Sequence, residues 1–411
     1  MRLAIVALNA YPAIVPSAGT AIGGLETFAW SLARTLASDS GTSVHFLVRH
    51  TSHPAQDMVD GVRLHFEVEP NRSVRQAVSR DIEFLGRFPW LRVHHFRPAL
   101  LWQIPLLAFA KLTSTRSHLT SRVDLFLKDS QPDVVLALGA GEGTAAAVQA
   151  AKFVGVPAWV WWQSNSDLNS RFVTDDTFVE SNGVRAADAR AAYRADGFIC
   201  QTQWQQNQTT QLLHQNSTLI PNPVNSERFP VGEATATARP EVLWIGRFDR
   251  HHKRPHLALE IARLCPQIPF QFVINQGDPI VEQEVRGNCP PNVRLIEYIP
   301  RDAMPDAYRS ARLFLSTGSQ AYEGFPNVLL EAAASGTPIV SLEDFDSFLK
   351  RSGAGFSSGE DLAQLAGKIR ELWALTPEWH TYSRSGAEYV RRHHSLSTCV
   401  TKFREAVLRT P

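Results

Sequence analysis

The chain has 411 residues, more than a single hydrophobic core organises, because cores stop growing beyond about 250 to 300 residues; two domains are therefore expected. Hydrophobic residues at 44% and charged residues at 20% exclude a disordered or fibrous chain. Lys and Arg number 41 against 40 Asp and Glu, so the formal net charge is +1 and no global positive field suits the wrapping of nucleic acid.

Taken in chain order, Leu3 to Asn9 is a continuous apolar run, too short for a signal-peptide core, and predicts a buried first strand. Leu25, Phe28, Leu32 and Leu36 then recur at helical spacing, and Val44 to Val48 predicts a second strand. Residues 71–131 break the alternation. Between Glu83 and Asp124 no acidic residue occurs, while Arg87, Arg92, Arg97, Lys111, Arg116 and Arg122 stand among Phe84, Phe88, Trp90, Phe96, Trp102 and Phe109. The uncharged run from Pro98 to Ala110 is about 13 residues, short of the roughly 20 that span a bilayer. This stretch has two readings, a membrane-surface patch over 84–123 or a helical flap with solvated arginines.

Asp133 to Leu138 and Pro157 to Trp161 predict two more buried strands around an alanine-rich helix, completing a first α/β domain over residues 1–225. Gly139-Ala140-Gly141-Glu142-Gly143 follows the first of these strands, but the acidic residue a dinucleotide fold needs about 20 positions on is absent, so a turn lining a cleft is expected instead of an NAD site. Residues 224–240 are small and polar and predict a linker. Val242 to Ile245 and a helix carrying Leu257, Ala258, Ile261 and Leu264 restart the βα cycle, giving a second α/β domain over 240–385 and a helical crossover over 386–411 that packs back on the first domain. Cys200, Cys265, Cys289 and Cys399 lack CxxC spacing and flanking histidine pairs, so no zinc site or redox dithiol is expected, only inert thiols in a reducing cytosol.

Open parallel sheets bind ligands at the carboxyl ends of their strands. Gly23 and Gly24 follow the first strand and precede a helix, where glycines let backbone amides approach an anion, although a flexible loop that happens to contain glycines reads the same way. Gly246-Arg247 follows the second domain's first strand, and Arg247 and Lys253 are spaced to reach one diphosphate with charge-assisted bonds, although a plain basic loop reads the same way. The most specific stretch runs from Tyr322 to Pro338. The strand Leu313 to Ser316 ends just before it, so Glu323 falls in a loop at the sheet's carboxyl edge, Pro326 fits the first helical turn, and Glu331 falls in the second turn. A glutamate there can accept two hydrogen bonds from a vicinal diol such as a ribose, or can simply complement the helix dipole.

Glu323-Gly324-Phe325-Pro326-Asn327 with Glu331 and Gly336-Thr337-Pro338, together with Gly246-Arg247 and Lys253, Gly23-Gly24 with Glu26, and Ile220 to Asn225 with Phe229, resembles the family 4 retaining glycosyltransferases of GT-B fold. The resemblance covers nearly the whole chain and implies an α/β protein of two Rossmann-like parallel-sheet domains facing a central cleft. It implies that Arg247, Lys253 and Glu323 serve catalysis. Glu331 would hold the ribose of a nucleotide-diphosphate sugar, while Glu323 and the backbone around Gly324, Phe325, Pro326 and Asn327 would hold its sugar. Gly23, Gly24 and Gly246 would border the diphosphate, and Tyr298 the base. The family's first-domain histidine is missing from Trp159 to Asp167, where Gln163 or Asp167 are the substitutes for a sugar or acceptor contact. Asp344 and Asp346 mimic the metal motif of a different glycosyltransferase fold, but Arg247 and Lys253 already meet the diphosphate charge, so no metal and no cofactor beyond the sugar donor is expected. The implied activity is transfer of a sugar to a hydroxyl on a polysaccharide, glycolipid or small glycoside with retention of configuration. The alternatives are an inactive nucleotide-sugar-binding protein or a sugar-nucleotide epimerase. The implied partners are the donor and a carbohydrate or lipid-linked acceptor, with an anionic membrane surface as a candidate and no nucleic acid; the implied place is the cytoplasm or the inner face of the membrane.

Overall fold

The computed structural model describes residues 1–15, 23–39, 41–69, 71–84, 91–113, 117–231, 240–374 and 376–408. Residues 232–239 of the expected linker, and Arg87, Phe88, Trp90 and Arg116 of the basic stretch, lie outside the described residues. The chain divides into two compact units: Met1–Val15 with Leu25–Val160 and Ala187–Asp196, and Pro16–Gly24 with Trp161–Ala186 and Gly197–Pro411.

The first unit is built on β1 (Arg2–Val6), β2 (Ser43–His50), β3 (Met58–Val59), β4 (Val62–Val68), β5 (Ile82–Phe84), β6 (Leu91–Val93), β7 (Val134–Leu138) and β8 (Ala158–Trp161). Its main sheet runs β8-β7-β1-β2-β4-β3, with β1 parallel to both β2 and β7. All five residues of β7 are buried, as a central parallel strand covered on both faces requires. The helix Gly24–Ala37 turns Phe28, Leu32 and Leu36 inward, at the spacing expected from the sequence. β5 and β6 form a separate antiparallel hairpin. Around it a small satellite core of Val78, Ile82 and Leu100, with Val74, Leu91, Ile104 and Leu107 packed on it, joins the helices Arg72–Asp81 and Leu100–Thr113.

The second unit holds β9 (Gly197–Cys200) and β10 (Thr218–Leu219), paired in parallel, and a six-stranded sheet of β11 (Glu241–Arg247), β12 (Phe270–Asn275), β13 (Val293–Ile296), β14 (Ala311–Ser316), β15 (Ile339–Ser341) and β16 (Gly355–Ser357). Its order is β13-β12-β11-β14-β15-β16, every neighbour parallel. Alternate residues of β11 feed two cores: Val242 and Trp244 pack with Phe270, Phe272 and the helix Pro255–Leu264, while Leu243 packs with Phe314 and the helix Asn327–Ala334. The C-terminal helices Pro377–His393 and Leu396–Leu408 close the unit, and Phe403 stacks on Trp161 with ring centroids 6.1 Å apart. Among the described residues no helix is long and apolar enough to cross a membrane.

Candidate functional site

The order of the second sheet reverses between β11 and β14: β12 and β13 extend one way, β15 and β16 the other. Crossover loops leave such a point in opposite directions and open a crevice at the carboxyl ends of the two strands. The loops that start there, 248–254 after β11 and 317–326 after β14, carry Lys253 and Glu323, with Arg247 as the last residue of β11. The fold thus gathers three residues that stand up to 76 positions apart in the sequence.

Lys253 and Glu323 meet directly, Nζ lying 2.7 Å from Oε1 and 2.8 Å from Oε2. Their side chains are 25% and 10% exposed, so the pair is shielded but open on the lysine side. Arg247 is half exposed and its guanidinium leans on Asp249, Nη2 to Oδ2 at 2.8 Å. Burial by itself raises the Asp249 carboxyl, but hydrogen bonds from the His252 ring and backbone, with the charges of His252 and Arg247, overcome it and hold the group well below the usual carboxylate range. Asp249 also accepts the backbone N–H of His251 at 2.9 Å, so one carboxylate shapes the turn that carries Lys253. The cations of this crevice are paired with its own anions.

Gly246 precedes Arg247 because Trp244, on the same face of β11, fills the space: a Cβ there would lie 2.4 Å from the indole. That indole donates to Thr317 Oγ1 at 2.9 Å, and Thr317 Oγ1 donates to the Lys253 carbonyl at 2.7 Å, which ties the two loops together.

Arg254, to which the sequence reading assigned no role, strengthens the same tie. It sits in the left-handed region at φ 51°, and its guanidinium donates to the carbonyls of Thr317 at 2.6 Å and Gly318 at 2.5 Å and to Glu343 at 2.9 Å. Glu343 in turn accepts the Gln320 N–H at 2.9 Å. Burial raises the Glu343 carboxyl, with the Gln320 hydrogen bond and the Arg254 charge acting against it.

Gly324 is the tightest point of the loop: an added Cβ would lie 2.7 Å from the Gln163 carbonyl and 2.9 Å from both Gln201 Oε1 and Gln205 Nε2. The Phe325 N–H donates to Gln201 Oε1 at 3.2 Å and Pro326 has no N–H, so of these three backbones only Gly324 carries an amide without a protein acceptor among the described residues. Pro326 stands one residue earlier than expected, as the residue preceding the helix Asn327–Ala334, because its ψ of 116° is extended. Asn222, another residue without an assigned role, organises the far side: its amide donates to Asn327 Oδ1 at 2.9 Å and to the Phe325 carbonyl at 3.2 Å, and its own carbonyl accepts from His394 Nδ1 at 2.7 Å. Gln205 Nε2, Asn165 Oδ1 and Asn222 Oδ1 are buried polar atoms with no partner among the described residues. Buried polar groups left so are rare in folded proteins and mark places where water or a ligand hydroxyl completes the bonding.

Glu331 lies one turn into its helix and accepts a 2.7 Å hydrogen bond from the fully buried Tyr308 hydroxyl. Burial raises its pKa, while Tyr308 and the charges of Arg301 and Arg228 pull it back. Tyr298, after β13, is 39% exposed. Gly23 and Gly24 are exposed, Gly24 opening its helix where a Cβ would lie 3.4 Å from Asn327 Nδ2. Gln163 sets its carbonyl against Gly324, whereas Asp167 spends Oδ2 on the backbone N–H groups of Gln163 and Ser164, both at 2.9 Å, as the cap of a short helical turn. Asp344 accepts the Leu349 N–H at 2.7 Å, and Asp346 pairs with Arg351 at 3.0 Å.

The first unit carries a cavity of about 340 Å³ lined by Leu64, His65, Phe66 and Phe126 among others; none of the expected donor-site residues lines it, but Arg122 of the basic stretch does. There His45 Nδ1 lies 3.0 Å from His65 Nε2, and burial, with the His45 charge, lowers His65 to about 4.

The backbone is similar to solved GT-B structures. Sucrose-phosphate synthase from Thermosynechococcus elongatus matches with 16% identity over 98% of this chain and 97% of that one, at a TM-score of 0.66. An α,α-trehalose-phosphate synthase (UDP-forming) from Burkholderia xenovorans matches with 11% identity over 99% of each chain, at 0.69. HepE of Anabaena, solved with UDP and glucose, matches with 14% identity over 98% of each, at 0.63. No curated protein sequence matches. The family model for glycosyl transferases group 1 covers residues 239–374, the half that carries the crevice, and the model for Glycosyltransferase Family 4 covers residues 22–228, so the chain belongs to the family 4 glycosyltransferases.

Proposed function

We propose that the enzyme moves a sugar from a nucleoside-diphosphate donor to a hydroxyl acceptor with retention of configuration. The observation that carries this is the pairing of Lys253 with Glu323 beside Arg247 where the second sheet reverses, a site with cations for a diphosphate and a carboxylate for sugar hydroxyls. Arg247 and Lys253 bind the diphosphate, bordered by Gly23, Gly24 and Gly246. Glu323, released from Lys253 as the donor arrives, accepts from the sugar hydroxyls together with the Gly324 N–H and Asn327. Glu331 accepts from the ribose, and the base lies by Tyr298. Gln163, whose carbonyl abuts Gly324, borders the transferred sugar.

As the glycosidic bond to the leaving phosphate breaks, negative charge grows on that phosphate. Fixed cations there lower the barrier more than they tighten ground-state binding. No side chain of the site is placed as a covalent nucleophile in this reading; the leaving phosphate takes the acceptor's proton as the new bond forms on the same face. The two cations meet the diphosphate charge without a metal, so chelation with EDTA leaves the rate unchanged. The acceptor is a polysaccharide, glycolipid or small glycoside reached in the cytoplasm or at the inner face of the membrane, and all four cysteines are free thiols, as a reducing compartment keeps them.

A thermal-shift panel of nucleotides and nucleotide sugars tests the reading, because a ligand at 100 times its Kd stabilises by about 2.7 kcal/mol. A shift with one nucleoside-diphosphate sugar, lost in Arg247→Ala and weakened in Glu323→Gln, is expected. Tight binding with neither hydrolysis nor transfer over a range of acceptors would make the protein a binder only, and conversion of the donor sugar without an acceptor would make it an epimerase.

A further inference from the structure

The helix Leu100–Thr113 is apolar on more sides than its packing uses. Leu100, Ile104 and Leu107 face the satellite core of Val78 and Ile82. On the other side Leu101 is 71% exposed, Trp102 56% and Phe109 68%, with Pro105 and Ala108 exposed between them. Positions 101, 105, 108 and 109 share one helical face. In the turn before the helix Phe96 is 67% exposed. A helix apolar all round is normally buried, so this outer face calls for a covering.

The sequence around it says which. From residue 85 to 123 there are six cations and no acid; Arg97 is held by Asp81 with Nε 2.6 Å from Oδ2, and Arg92 is exposed. A two-fold contact with a second copy would set these cations against themselves. At 14 residues the helix is about 21 Å long, too short for a bilayer's roughly 30 Å core, and Pro105 interrupts its hydrogen bonding. It fits the plane of an interface, with aromatic and aliphatic side chains in the acyl boundary and arginines at the headgroups.

We infer that the outer face of this helix, with Phe96, seats the enzyme on an anionic lipid bilayer. The inference stands apart from the transfer reaction and is read without turnover. The full chain is floated with vesicles of phosphatidylcholine containing phosphatidylglycerol, and with phosphatidylcholine alone. Binding to the anionic vesicles should exceed that to neutral ones by at least about tenfold, fall steeply between 0.05 and 0.5 M NaCl, and drop by at least about tenfold in Trp102→Glu/Phe109→Glu. Both side chains are exposed, so the melting temperature should hold; should it not, Trp102→Ser/Phe109→Ser gives the same readout. No flotation of the wild type, or equal flotation of the variant, overturns the inference. So does a dimer in light scattering that the variant dissolves while vesicle binding is unchanged, which would assign the face to a second copy.

Discussion

The two main sheets share a topology and differ in chemistry. Each reverses its strand order at one point, between β7 and β1 in the first unit and between β11 and β14 in the second. After β7 the chain offers Gly139, Gly141 and Gly143 with one acid, Glu142, and after β1 it offers Gly23 and Gly24. After β11 and β14 it offers Arg247 paired with Asp249, Lys253 paired with Glu323, and Arg254 held on Glu343 and on the Thr317 and Gly318 carbonyls. The topology supplies a crevice twice, and the side chains decide which crevice holds charge. The comparison predicts unequal sensitivity. Lys253→Ala and Arg247→Ala should each lower turnover by about 10² to 10³, the loss typical of one preorganised donor. Gly141→Ala, whose new Cβ meets nothing within 4 Å, should stay within about twofold. Steady-state kinetics on the three variants check this, and a Gly141 loss equal to that at Lys253 would dissolve the distinction.

Each unit also holds a neutral histidine, His394 buried and His65 half-buried. Burial is the main cause in both, and it holds His394 and His65 at about 4. His394 donates from Nδ1 to the Asn222 carbonyl, a bond that favours the charged ring, and packs on Phe325, so what opposes its charging is burial. The unfolded chain takes up the proton near 6.5 and the folded one only near 4. Stability is therefore complete above pH 6.5 and declines as pH falls to 4, by about 3 kcal/mol at most for His394. Urea denaturation across that window should show the decline. His394→Phe, which keeps a ring but cannot charge, should flatten the share from the second unit and leave that of His65.

Backbone space separates the glycines further. Gly246→Ala drives a Cβ to 2.4 Å from the Trp244 indole, which is buried and pinned to Thr317. Overpacking of that kind costs about 1 to 3 kcal/mol, and because Trp244 ties the loop of Lys253, denaturation midpoint and turnover should fall together.

The strands of both sheets were legible because apolar runs and helical spacing report burial residue by residue: Phe28, Leu32 and Leu36 are inward, and β7 is wholly buried. Glu323, Lys253 and Arg247 were legible through their positions after strand ends. What joins them was not. Arg254 meets Glu343 across 89 positions and Asn222 meets Asn327 across 105, and no periodicity in a single sequence reports such pairings. Composition likewise marked residues 84–123 as basic and aromatic, yet which aromatic side chains stay outside depends on the satellite core, which takes Leu100 and Ile104 and leaves Trp102 and Phe109.

The smallest expected effect lies at Glu331. Glu331 accepts one hydrogen bond from Tyr308 and has acceptor capacity left for the ribose diol of the proposed donor, a contact that would be made before and during the reaction alike. Glu331→Gln keeps shape and removes charge, so KM for the donor should rise about tenfold with kcat within about twofold, the pattern of lost uniform binding. Burial raises the Glu331 carboxyl, so acidification protonates it in the folded enzyme before an ordinary glutamate would respond. Donor KM of the wild type should accordingly climb as pH falls, because the protonated acid gives up an acceptor site, while the Gln variant starts high and loses that part of the climb. A KM profile of the same steepness in both would take the ribose away from Glu331 and leave its hydrogen bond with Tyr308 as a support of the helix alone.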